Sequence, residues 1–269
     1  MDLVDIGANL THESFRHDFA AVLARAREAG VAQMVVTGAS REGSEQALVL
    51  ARAHPSVLYA TVGVHPHHAI DYDADTDARL RVLLREPAVC ALGETGLDYH
   101  RNHSPREVQR AVFEQQLAIA VESGKPLFLH QRDAHADFLA LLRTVRGRVP
   151  AAVVHCFTDT RAALFDYLDL DCHIGITGWI CDERRGTHLR ELVREIPADR
   201  LLLETDAPYL LPRTVHPPPA HRRNEPMYLA HIVAEVARDR GEPVEVTATR
   251  SAANARELFG LDPAPGSAA

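Results

Sequence analysis

Short runs of apolar and β-branched residues alternate with longer amphipathic stretches along the whole chain. The short runs are LVDIGANL from Leu3, VAQMVVTGA from Val31, LYATVGV from Leu58 and VCALGETGLD from Val89. PLFLHQRD from Pro126, AAVVHCFTD from Ala151, CHIGITGWI from Cys172 and LLLETDAPYL from Leu201 complete the series. Consecutive apolar positions bounded by turn formers are how a strand buried on both faces reads. Between them, SFRHDFAAVLARAREAG, PREVQRAVFEQQLAIAVESG and MYLAHIVAEVARDRG space their apolar residues as helices do. Each closes on a glycine (Gly30, Gly124 and Gly241), the residue best suited to the left-handed position after a helix.

Eight strand signals, each followed by a helix within roughly 30 residues, predict a (β/α)8 TIM barrel, a fold of ~250 residues. A doubly wound open sheet is the runner-up, but the chain has no Gly-rich phosphate fingerprint to support it. The pattern predicts a single domain over residues 1–262. It also predicts a long loop across Pro212–Pro219 after the last strand, and a flexible tail over 263–269.

Composition removes several alternatives. The 269 residues are 46% hydrophobic and 25% charged, so disorder is excluded as the dominant state. No apolar run approaches the ~18 residues of a membrane span. The N-terminal MDLVDIGANL has no secretory pattern, so a cytoplasmic protein is expected. Cys90, Cys156, Cys172 and Cys181 form no CxxC pair, which argues against a disulfide framework or a zinc knuckle. A formal charge of −8 disfavours holding a duplex by broad phosphate neutralisation. Any nucleic-acid contact must be local.

The chemistry sits at the strand ends. Five runs finish on an ionisable side chain: His65, Glu94, His130, His155 and Asp206. A barrel of this class gathers its active site from the C-terminal ends of its strands, so these groups should converge on one mouth. Glu204 and Asp206, two residues apart, would share a face. Burying unpaired carboxylates costs several kcal/mol. A divalent cation removes that cost by accepting imidazole nitrogen and carboxylate oxygen together. Mixed N/O ligation does not choose among zinc, manganese and magnesium. Cys156, beside His155, is expected to point the opposite way. His67 or His68 would orient substrate, or both are solvated. His12, His17, His54, His103, His188, His216, His221 and His231 read as surface or loop residues.

Several stretches in fixed order resemble the TatD family of metal-dependent deoxyribonucleases, in the amidohydrolase-like group of barrels. They are GVHPH at Gly63, GETGLD at Gly93, LFLHQRDA at Leu127, VVHCFTDT at Val153, IGITGWICDERRG at Ile174, ETDAPYL at Glu204 and RRNEP at Arg222. The resemblance implies that Glu94, His130 and His155 are metal ligands and that Asp206 binds metal or orients the attacking water. It further implies that His65 contacts the scissile phosphate. Where most relatives open with D-x-H-x-H-L, this chain has Asp5-Ile6-Gly7-Ala8-Asn9-Leu10. Gly7 offers no side chain, and Asn9 offers a carbonyl oxygen to a weak first metal position. That position favours Mg2+, with Mn2+ or Zn2+ as alternatives. Glu204 is expected either to hydrogen-bond a ligand or to form a structural pair with a buried basic group.

The resemblance implies hydrolysis of phosphodiester bonds, as a 3′-to-5′ exonuclease taking single-stranded DNA or DNA 3′ ends, with no obligate protein partner. Arg184 and Arg185 follow the seventh strand, and Arg213, Arg222 and Arg223 the eighth. They would border the mouth and hold substrate, or they are ordinary solvated charges. Trp179 would stack on a base or anchor its loop against the rim, and Tyr209 has the same two readings. Two other classes stand beside the nuclease: an amidohydrolase-type enzyme for a small amide, lactone or ester, and a non-catalytic scaffold.

Overall fold

The computed structural model describes residues 2–264. Eight strands form one parallel sheet in sequence order. They are β1 (Leu3–Ala8), β2 (Val31–Val36), β3 (Leu58–Val62), β4 (Val89–Asp98), β5 (Leu127–Arg132), β6 (Ala152–Val154), β7 (His173–Ile176) and β8 (Leu201–Leu203). Helices pack outside: α1 (Phe19–Glu28), α2 (Arg41–Ala53), α3 (Ala74–Leu83), α4 (Arg106–Ser123), α5 (His135–Val145), α6 (Arg161–Asp169), α7 (Thr187–Leu192), α8 (Leu229–Arg240) and α9 (Val244–Phe259). This is the (β/α)8 barrel that the alternation predicts. No helix among the described residues is long and apolar enough to cross a membrane.

The helix ends follow the glycine signals. Gly124 and Gly241 cap α4 and α8 in the left-handed conformation. The first helix differs from its pattern, which starts at Ser14. The His12 ring accepts the Ser14 N–H at 3.1 Å and starts a separate 3-10 turn, so α1 begins only at Phe19. A side chain that captures a backbone donor locally competes with helix continuation.

The last seam closes differently from the others. β8 meets β1 through a single bridge, Ala8 with Ala207, and through Asp206 N–H to Gly7 O at 2.8 Å. Below that point the fully buried Asp5 carboxylate accepts the Thr205 N–H at 2.9 Å and its hydroxyl at 2.5 Å. A side chain thus does part of a ladder's work and fixes the segment carrying Glu204 and Asp206.

The barrel is plugged from below. Val4, Ile6, Phe128 and Leu202 pack inside it against Ala255, Leu258 and Phe259 of α9. Asn254 of α9 donates to the carbonyls of Ala198 and Leu201, at the start of β8. The opposite end, at the C-terminal ends of the strands, is open. Asp262 and Ala264 are also tied down: Asp262 N–H donates to the Tyr59 hydroxyl at 3.0 Å and Ala264 is buried. Most of the expected flexible tail, residues 265–269, lies outside the described residues.

The half-buried His173, at the start of β7, makes acid stability testable. Burial, helped by Arg200, pushes His173 down to about 4. Its folded value lies below its unfolded one, so its contribution is complete above about 6.5 and is lost as pH falls toward 4. Urea unfolding at pH 7 and pH 4.5 is expected to show a loss in the wild type that exceeds the His173→Gln variant's loss by about 2 kcal/mol. Equal losses would refute it.

Candidate active site

The open end of the barrel holds a cavity of 760 Å3. His65, Glu94, His130, His155 and Asp206 all line it, so every group at a strand end reaches the same place. At its floor Glu94 Oε1 faces three imidazoles: His155 Nε2 at 2.8 Å, His130 Nδ1 at 3.0 Å and His65 Nε2 at 3.4 Å. Burial alone would raise the Glu94 carboxyl, but the surrounding histidines outweigh it and hold the group ionised, well below its usual range. Burial keeps His65 neutral, well below the ordinary imidazole value. For His155 burial acts in the same sense, yet the Glu204 and Glu94 charges override it and raise the ring well above that value.

The donor set suits a divalent cation. His65, Glu94 and His130 each offer a ligand atom, and the three atoms lie within 4.8 Å of one another. His130 Nε2 is buried without a hydrogen bond and sits 3.6 Å from Asp98 Oδ2. An orphaned imidazole nitrogen next to an ionised carboxylate is a cation's coordination chemistry rather than a packing solution. Glu94, His130 and His155, the set that the resemblance implies, also meet at Glu94 Oε1, with His155 Nε2 at 2.8 Å and His130 Nδ1 at 3.0 Å. Glu204 Oε2 sits 3.3 Å from His155 Nδ1, so that ring lies between two carboxylates.

Glu204 itself is fully buried. Its Oε1 accepts the Cys156 N–H at 2.5 Å and its Oε2 faces His155. Glycines flank it on two strands. A Cβ on Gly7 would clash with Glu204 Oε2, and one on Gly175 would come within 2.8 Å of Oε1. Gly7 is therefore more than a missing ligand. The carboxylate of Glu204 occupies the space that a side chain at position 7 would need. Asn9 Nδ2 donates to Asp206 Oδ1 at 2.9 Å, presenting its amide nitrogen, not the expected carbonyl oxygen, to the site. Burial pushes Asp206 up to about 7 against the pull of His155.

A model of the TatD-related DNase family matches residues 4–260. The chain belongs to that family. It is 54% identical over 259 residues to a protein of Edwardsiella piscicida named 3′-5′ ssDNA/RNA exonuclease TatD, covering 96% of this chain and 100% of the relative. A protein of the same name from Erwinia amylovora is also 54% identical over the same coverage. Among solved structures, the TatD homolog YJJV of Escherichia coli K12 superposes with a TM-score of 0.89 at 28% identity, covering 97% of this chain and 98% of that one. The enzyme is thus a metal-dependent nuclease of the TatD-related family, not a scaffold.

The rim of this TatD-related barrel differs in detail from the sequence reading. Arg185 and Arg222 line the cavity, as do Trp179 and Tyr209. Arg184 and Arg223 are not among the lining residues. Arg184 points to Asp182 at 3.6 Å, and Arg223 is spent on Asp18 and Glu225 at 2.7 Å each, holding the turn after β1. Arg213 likewise reaches Asp182 at 3.5 Å. Trp179 carries guanidiniums on its ring, Arg185 at 4.4 Å and Arg132 at 5.4 Å. Cys156 lines the cavity instead of turning away. Strand alternation ends at Val154, and Cys156 adopts a left-handed φ of 46°.

Arg101, Arg132, Asp98 and His103 also line the cavity, and sequence reasoning did not select them for it. Asp98 accepts from His67 Nε2 at 2.8 Å, so His67 is fixed rather than loosely solvated. The ring of His103, read as a loop residue, packs edge-on against that of His67 at 4.6 Å. The sequence did hold a signal for Arg132 and Asp98. Each ends a strand, and Arg132 stands two residues past His130 on the same face.

Proposed function

We propose that this chain is a 3′-to-5′ exonuclease that shortens single-stranded DNA from its 3′ end with a divalent metal ion, Mg2+ first among them. The observation that carries the reading is the convergence of His65, Glu94 and His130 within 4.8 Å at the barrel mouth, in a chain 54% identical to named exonucleases. His65, Glu94 and His130 would hold the ion, with His155 and Asp206 beside them. When bound, the ion supplies polarisation of the phosphoryl oxygen and a water of lowered pKa.

The chain's own residues account for the rest. Arg222, on the cavity wall, holds the terminal phosphodiester by charge-assisted hydrogen bonds. Asp206, held by Asn9 Nδ2 at 2.9 Å, accepts the proton of the attacking water. His65 Nδ1 accepts the His67 N–H at 3.1 Å, which turns Nε2 toward Glu94. Water oxygen bonds to phosphorus, the bond from phosphorus to the 3′ oxygen breaks, and that oxygen leaves as a hydroxyl with a 5′-mononucleotide as the other product. Glu204 keeps His155 oriented through Nδ1.

The test uses chelated protein, metal added back, and single-stranded DNA labelled at its 5′ end, with an RNA of the same sequence alongside. A ladder shortening from the 3′ end, only with metal, is the expected result. Cleavage from the label end, or none from folded, metal-loaded protein, would refute the reading.

A further inference from the structure

A second, smaller cavity of 240 Å3 opens beside the catalytic one, and the two share Arg132, Trp179 and Arg185 as a common wall. Both guanidiniums of that wall lie against the indole. Arg185 is also held by Asp182, with Nε at 3.2 Å and Nη2 at 3.1 Å from Oδ2. Arg132 is different. Among the described residues its guanidinium has neither an ion-pair nor a hydrogen-bond partner, although it is half-buried. A contact with an aromatic face steadies a guanidinium without using its N–H fork. The fork is therefore free for a ligand, and planar bidentate donors match phosphate oxygens.

Position narrows the ligand further. Arg132 stands two residues beyond His130 on β5, a step of about 7 Å along the strand. That step is comparable to one nucleotide of an extended single strand. Asp133 and Asp159 also line the small cavity, and their carboxylates repel an anion toward the two guanidiniums. Resting on the exonuclease reading above, we propose that the shared Arg132–Trp179–Arg185 wall seats the internucleotide phosphate one step upstream of the scissile one. Trp179 then serves as the backing that holds two phosphate-binding guanidiniums, and the strand leaves the mouth between β5 and β7.

Dinucleotides isolate this contact, because a 5′ phosphate is the only group that reaches the wall. Wild-type enzyme is expected to cleave a 5′-phosphorylated dinucleotide with kcat/KM about tenfold above the same dinucleotide lacking that phosphate, mostly through KM. In Arg132→Ala that ratio should fall to near one, and Arg132→Lys should restore part of it. A wild-type ratio of one, or a ratio unmoved in Arg132→Ala, would overturn the proposal while leaving the exonuclease intact. Failure of wild-type enzyme on both dinucleotides and on a longer single strand would instead bring down the exonuclease reading and this proposal with it.

Discussion

Glu94→Gln is expected to lose at least about 10³-fold in kcat while remaining folded. The substitution keeps the shape of the side chain but removes its charge, and its Oε1 is the acceptor that three imidazoles share at 2.8, 3.0 and 3.4 Å. An amide nitrogen facing those rings is a mismatched donor, and a neutral oxygen is a poor cation ligand. The raised values of His130 and His155, which depend in part on Glu94, should fall toward what burial alone dictates. The second readout separates site from fold. Wild-type protein should gain thermal stability on adding Mg2+ or Mn2+, because a ligand bound only by the native state stabilises it by mass action. Glu94→Gln should melt near the metal-free wild type and gain little from either ion. Retention of a tenth of the wild-type rate, or an undiminished metal-induced shift, would remove Glu94 from the centre of the site.

The second large effect concerns a residue with no side chain. Gly7→Ala is expected to cost about 2 kcal/mol of stability and about 10²-fold in kcat. The new Cβ would clash with Glu204 Oε2, and also approach Phe128 Cζ to 3.2 Å. Glu204 has little room to yield. It is buried, its other oxygen holds the Cys156 N–H, and Gly175 already marks the limit on the far side. Displacing it frees His155 Nδ1 and turns a ring of the site. A control is available at Gly147, where a Cβ meets nothing within 4 Å, so Gly147→Ala should be neutral. If the clash is the cause, Glu204→Ala combined with Gly7→Ala should destabilise by less than the two effects summed. Additive losses would show that position 7 acts by another route.

Which parts of this were legible in the chain follows from the physics of each signal. Strand positions were visible because a strand buried on both faces must be apolar at consecutive positions, as in AAVV before His155 and LLL before Glu204. Helix ends were visible at Gly124 and Gly241 because only a left-handed position rewards glycine there. The first helix was misjudged by five residues because the capping of Ser14 N–H by the His12 ring is a contact between side chain and backbone that periodicity does not encode.

The site divides in the same way. A strand end at the open face of a barrel predicts convergence, so His65, Glu94, His130, His155 and Asp206 could be named from spacing alone. Orientation and spare valence could not. Whether a guanidinium faces solvent, a neighbouring carboxylate or a substrate depends on what folds beside it. Arg223 was drawn to Asp18, 205 residues earlier, while Arg132 was left with its fork free on the wall of the mouth. The sequence by itself determined the barrel, its order and which chemical groups meet at its mouth, because burial and strand length are local properties of the chain. Only the tertiary structure decided that Glu204 fills the space above Gly7, that His65 joins the close trio, and which arginines remain unpaired. Those outcomes depend on contacts between residues far apart in the chain, and periodicity carries no record of them.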